Sequence, residues 1–157
     1  DAEDQSILWG LPGTALRGGN SARILPLLLG PTTSGKSQLI SALANLLQGY
    51  ATSINASIFR GTLDDKPRPD LVKAMHVRLA YANEASKSWE LHADQVKRIT
   101  GGDKILYRNL YAQAVESEPL FTPIIIANEM PRIKGADDAV RRRMLVLRFT
   151  QIGRAHV

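Results

Sequence analysis

Cysteine is absent from all 157 residues, so disulfides and thiolate-bound metals are excluded. The histidines, His76, His92 and His156, are scattered and lack any metal-ligand spacing, which argues against zinc. No apolar run approaches the roughly 20 residues that cross a bilayer, and no signal-peptide pattern is present. The expectation is a soluble protein of a bacterial or host cell cytoplasm with no membrane partner. Because the chain opens on Asp1 and not on Met, an earlier N-terminus is also expected. Repeats and low-complexity tracts are missing too. What remains is a chain that is 44% hydrophobic and has the length of one globular domain. Its formal charge of +5 and pI near 9.7 favour an anionic partner such as nucleic acid.

The most informative stretch is Gly30-Pro31-Thr32-Thr33-Ser34-Gly35-Lys36-Ser37. It matches G-x-x-x-x-G-K-[ST], in which successive backbone N–H groups wrap a polyphosphate, the lysine meets the β and γ phosphates and the hydroxyl faces Mg²⁺. A buried strand is expected in front of such a loop and a helix behind it. Ile24 to Leu29 is a short apolar run that reads as a buried parallel strand despite Pro26. Leu39, Ile40, Leu43, Leu46 and Leu47 recur at helical spacing, with Gly49 as a stop. These residues point to nucleotide binding; the bland alternative is a glycine turn before a core helix.

Elsewhere the pattern alternates between strands and helices. Residues 1–23 are polar and glycine-rich; 1–19 read as a lead-in segment in which Trp9 and Leu11 are the few packing candidates. Val77, Leu79 and Tyr81 alternate toward Glu84 as a strand would, after a short helix at about 70–75. A helix over 91–100 is broken by Gly101-Gly102-Asp103, and a hairpin is expected to follow at 104–110. Ile124-Ile125-Ile126 marks a central strand ending at Asn128, and Met144 to Phe149 supplies another. The fold expected is α/β: a three-layer P-loop NTPase domain with a mainly parallel central sheet and its ligand at the carboxyl edge.

Hydrolysis would need an acid for metal and water, a polar sensor near the γ-phosphate and a cation for transition-state charge. Glu84 and Asn128 both stand at strand ends, although a strand-end Glu is usually a solvated cap and a lone Asn a turn residue. Arg141-Arg142-Arg143 leads into the last strand, from where an arginine can reach across a subunit boundary; a solvated basic run is the plainer reading.

Together these residues resemble the superfamily 3 helicases, AAA+ ATPases, in the branch attached to phage, plasmid and poxvirus-type primases. The likeness spans about residues 20–150. It rests on the loop Gly30 to Ser37; Arg78 to Glu84; Val96 to Asp103 with Arg108 and Tyr111; Phe121 to Pro131; and Asp137 to Phe149. It implies ATP and Mg²⁺ as cofactors, bound by Lys36 and Ser37, with Glu84 as the acid and also a metal contact. It implies Asn128 as sensor, and Arg142, with Arg143 as the alternate, as a finger reaching a neighbouring subunit. A homo-oligomer in the form of a hexameric ring, and a hairpin tracking single-stranded DNA, are implied by the same likeness. Lys97, Lys104 and Arg108 are its candidate phosphate contacts and Tyr107 a stacking residue; Lys97 as a helix cap and Tyr107 as core are the alternatives.

The chain departs from the family in places. Thr32 and Ser34 stand where Gly and Asn are common. Asn83 replaces a second acid, so either Glu84 serves both metal and water or Glu129 or Asp103 contributes. Position 141 lacks the usual aromatic. Two other readings stay open: a non-helicase P-loop ATPase, and a nucleotide-dependent DNA-binding assembly module. The tail Ile152-Gly-Arg-Ala-His-Val157 resembles one reading frame of a sequencing-library adapter, so 151–157 is expected to be foreign sequence or a basic tail.

Overall fold

The computed structural model describes residues 2–61, 67–84, 86 and 88–150. The tail 151–157 and the side chain of Trp9 lie outside the described part. In chain order the elements are α1 (Ala2–Leu16), β1 (Leu25–Leu29), α2 (Lys36–Leu47), β2 (Ala51–Ser53), α3 (Pro69–Ala74), β3 (Leu79–Glu84), β4 (Glu90–His92), α4 (Ala93–Gly101), β5 (Ile105–Tyr107), β6 (Val115–Ser117), β7 (Thr122–Ala127), β8 (Arg132–Lys134), α5 (Asp138–Arg141) and β9 (Met144–Arg148). A 3-10 turn at Ala56–Phe59 lies between β2 and α3.

One five-stranded sheet, in the order β2-β3-β7-β1-β9 and parallel at every pairing, organises the chain. Strand alternation sends its side chains into two separate cores. Leu25, Leu27, Leu29, Ala80, Ala82, Ile125 and Ala127 face the side covered by the 3-10 turn, α3 and α4. Leu28, Leu79, Ile124 and Ile126 face the side covered by α1 and α2. A sheet buried on both faces explains the near-continuous apolar runs of β1 and β7, which alternation alone would not produce.

Pro26 is tolerated inside β1 for a local reason. The Leu25 N–H donates to Arg143 O at 2.6 Å, so alternation turns the next nitrogen toward β7, where pairing begins only at Leu27. No ladder bond is lost to the missing N–H.

The N-terminal segment, read above as a lead-in, is helical despite Gly10, Pro12 and Gly13. Leu11 and Ala15, four residues apart on one face, are buried against the α2 side of the sheet. Such packing outweighs poor intrinsic propensity. A hairpin begins where expected but runs beyond residue 110 to Ser117, with β5 antiparallel to β6 and Tyr107 opposite Val115. It follows α4, which Gly102 ends in the left-handed region at φ 84°. Among the described residues no helix is long and apolar enough to cross a membrane.

Candidate nucleotide-binding site

The loop from Gly30 to Ser37 joins the carboxyl end of β1 to the start of α2. Gly30 has no room for a side chain: a Cβ there would sit 2.2 Å from the Phe149 backbone oxygen. Gly35 turns the chain into the helix at φ 93°, where an L-residue would be strained. Lys36 is the first residue of α2 and only 5% exposed. Its Nζ donates to Gly30 O at 2.6 Å, Pro31 O at 2.7 Å and Ser34 Oγ at 3.2 Å. Burial lowers its pKa, because desolvation penalises the ammonium.

A cleft of about 560 Å³ opens over this loop, lined by Thr32 to Gln38 together with Asn83, Ile126 and Asn128. Gly30 and Pro31 line an adjoining cleft, which Asn128 also borders, with Glu129 and Phe149 among the other walls. The α2 N-terminus, an ammonium, the Ser37 hydroxyl and two carboxamides therefore meet at the carboxyl edge of the sheet. This donor set fits a polyphosphate, and a hydroxyl beside phosphate oxygens fits Mg²⁺, which is seldom caged by protein alone.

Glu84 stands beside this cleft without lining it. Alternation along β3 puts Asn83 on the α2 face with Leu79, and Glu84 on the opposite face with Ala80 and Ala82. The carboxylate, 11% exposed, pairs through Oε2 with the Arg60 guanidinium, while Oε1 accepts the Ser86 N–H at 2.9 Å. Burial by itself would raise this carboxyl. The Ser86 hydrogen bonds and the Arg60 charge outweigh it and hold the group below the ordinary range. Of the two alternative acids, Glu129 borders the adjoining cleft. Asp103 lies at the far end of α4, against Gly101.

Arg142 is the C-cap of α5 and is exposed; its guanidinium finds no partner among the described residues. Arg143 turns back on its own helix, Nη1 donating to Ala139 O at 2.8 Å. Lys104 is exposed at the root of the hairpin, and the Arg108 carbonyl accepts the Arg68 N–H at 3.0 Å. Lys97 is held by Asp137, with Nζ to Oδ2 at 2.6 Å.

The stacking role expected of Tyr107 needs correction. This ring is 8% exposed, belongs to the main core, and its hydroxyl accepts from Ser117 Oγ at 3.2 Å. Strand alternation points it inward; the exposed aromatic of the hairpin is Tyr111, 97% exposed. Arg60 was invisible to sequence reading, since its partner lies 24 residues away and no local pattern links them.

No protein-family model matches the chain. Over 141 residues it is 30% identical to a presumed helicase, L207/L206, of Acanthamoeba polyphaga mimivirus; the alignment takes in 88% of this chain and 15% of that protein. A presumed helicase, 184R, of Invertebrate iridescent virus 6 is 28% identical over 142 residues, 84% of this chain and 14% of the relative. The chain thus spans about one seventh of the length of these relatives. Among solved structures, the C-terminal region of NrS-1 superposes with TM-score 0.72 at 17% identity, over 99% of this chain and 36% of that one. JCV helicase superposes with TM-score 0.59 at 15% identity, over 94% and 41% respectively. Structural likeness at these identities establishes the fold, a P-loop NTPase α/β domain. With the loop, the strand-end residues and the sheet order in place, the chain is a P-loop NTPase α/β domain whose sequence relatives are viral proteins named as helicases.

Proposed function

We propose that this chain is the ATPase core of a DNA helicase from a phage or plasmid replication protein, coupling ATP hydrolysis to movement along single-stranded DNA. The observation that carries the reading is the shared cleft of Lys36, Ser37 and Asn128 at the carboxyl edge of the sheet, with Glu84 ending the neighbouring strand. The loop N–H groups and Lys36 bind the triphosphate. Ser37, with Glu84 once it leaves Arg60, would hold Mg²⁺, which would offset phosphate charge. Glu84, once it leaves Arg60, activates the attacking water, and Asn128 positions it. Arg142, exposed on α5, reaches the γ-phosphate of the adjacent subunit in a homohexameric ring and stabilises the departing charge. Lys104 and Arg108 on the hairpin contact the DNA backbone, with Tyr111 as the stacking surface. The work is done in the cytoplasm of a bacterial or host cell.

The test is a mixing experiment. Lys36→Ala and Arg142→Ala chains, each inactive alone, recover ATPase activity when combined if the finger acts across an interface, and stay inactive if it acts within one subunit. Loss of a trans arginine should cost about 10³-fold or more in turnover. Hydrolysis that is indifferent to single-stranded DNA would favour the non-helicase ATPase reading instead.

A further inference from the structure

The 89–97 and 129–137 segments run side by side, and their contacts form a continuous strap. The Trp89 indole N–H donates to Glu129 O at 3.0 Å, and the Arg132 N–H donates to Trp89 O at 3.0 Å. Next, β4 and β8 pair in parallel, Glu90 with Arg132 through His92 with Lys134. Gly135 then passes Ala93, and the strap closes where Lys97 Nζ meets Asp137 Oδ2 at 2.6 Å. The 129–137 segment links Asn128 to the arginine run, and the 89–97 segment leads into α4, which precedes the hairpin.

Asp137 has two duties. Its Oδ1 accepts the Val140 N–H at 2.9 Å and caps α5, the turn that carries Arg141 and ends at Arg142. Its Oδ2 takes the Lys97 ammonium. The lysine is therefore engaged with the base of the arginine segment, and its approach to Asp94 at 3.9 Å keeps it among carboxylates. An ammonium so placed is poorly disposed to hold DNA phosphate.

We infer that Lys97 is a positioning residue for the arginine finger, clamping α5 to the hairpin helix through Asp137, and not a DNA contact. The inference rests on the reading of Arg142 given above. A free exposed pair is worth little, but this one is joined to a helix cap and a strand ladder, so its loss tilts a short turn whose tip must meet a phosphate.

Asp137→Asn isolates the clamp, because asparagine caps a helix as well as aspartate but offers no charge to Lys97. ATP turnover, KM and single-stranded oligonucleotide affinity across a salt series should be measured for the 157-residue chain and for Asp137→Asn, Lys97→Ala, the double variant and Arg142→Ala. Melting curves report whether each is folded; Lys97→Gln replaces Lys97→Ala, alone or in the double variant, and Arg142→Gln replaces Arg142→Ala, where the alanine variant is not folded. The clamp predicts kcat lowered by about tenfold in Asp137→Asn and in Lys97→Ala, the change expected from one charge-assisted hydrogen bond. The double variant should be no worse than either single, since all three remove the same interaction. KM for ATP and the salt slope of oligonucleotide binding should not move. Wild-type kcat in folded Asp137→Asn, with Arg142→Ala inactive, overturns the clamp alone. A salt slope shallower by about 0.7 in Lys97→Ala also overturns it, by placing the ammonium on DNA. Full turnover in Arg142→Ala overturns the finger reading itself and the clamp with it.

Discussion

The Arg60 guanidinium is paired with the Glu84 carboxylate, and the Ser86 N–H occupies the second carboxylate oxygen at 2.9 Å. The acid at the end of β3 is thereby held on the face of the sheet opposite α2, one residue from a side chain that does line the cleft.

This pair gives stability a defined pH dependence. The folded-state pKa of Glu84 lies below its ordinary value, so the unfolded chain takes up the proton first as pH falls. The contribution is complete above about pH 4.3, the ordinary glutamate value, and is lost as pH drops through the folded value. Glu84→Gln should therefore melt lower than wild type at neutral pH, and the gap should close below about pH 4. A gap that stays constant across a pH series of thermal melts would show that the pair contributes nothing through charge.

Lys36→Ala removes the buried ammonium while leaving the loop backbone in place. Nucleotide affinity should fall about 10- to 100-fold, the range for losing hydrogen bonds to a charged group, and ATP hydrolysis should fall to background. Equilibrium binding of a fluorescent ATP analogue checks the first and phosphate release the second. A Lys36→Arg variant is not expected to rescue, because the larger fork does not fit between the Gly30 and Pro31 carbonyls and Ser34.

At Gly30 a methyl group has nowhere to go, since the obstacle is the Phe149 backbone oxygen, itself fixed by the Phe149 N–H donating to Leu29 O at 2.7 Å. Gly30→Ala should destabilise the fold by about 1–3 kcal/mol through overpacking at the end of β1. Denaturant melts measure this, and nucleotide binding should weaken along with it. An unchanged midpoint would mean that the β1 and β9 ends separate freely.

On the hairpin, charge and stacking should separate cleanly. Lys104→Ala should make the salt dependence of oligonucleotide binding shallower by about 0.7, one phosphate contact on a single strand. Tyr111→Ala should cost about 1–3 kcal/mol of binding with the salt slope unchanged, as loss of a stacking face does. Fluorescence anisotropy titrations at several salt concentrations distinguish the two. Tyr107→Phe should leave binding alone, because the ring is buried and only its contact with Ser117 is lost.

The features legible in the sequence were those written in local pattern. Ile124-Ile125-Ile126 and the Leu27-Leu28-Leu29 run became central strands because burial on both faces demands apolar residues at every position. The hairpin after Gly101-Gly102 was readable for a similar reason: a left-handed glycine ends a helix wherever it occurs. Helix α1 was hidden because Gly10, Pro12 and Gly13 argue against it, and only contact with the sheet through Leu11 and Ala15 offsets them. Tyr107 and Tyr111, four residues apart and so of the same strand phase, could be told apart only by where β5 ends, since Tyr111 lies in the turn beyond it. Arg60 and the β4–β8 ladder depend on contacts between segments far apart in sequence, and no window of neighbouring residues contains them.

The three oxygen partners of Lys36 have a bearing on selectivity. An ammonium already satisfied by its own loop gains little in number of hydrogen bonds from a ligand; what an incoming phosphate adds is negative charge in place of neutral dipoles. Affinity should then follow the ionisation of the ligand more closely than its shape, so that a neutral isostere of the terminal phosphate, however well it fits, competes poorly against serine and carbonyl oxygens that are already there.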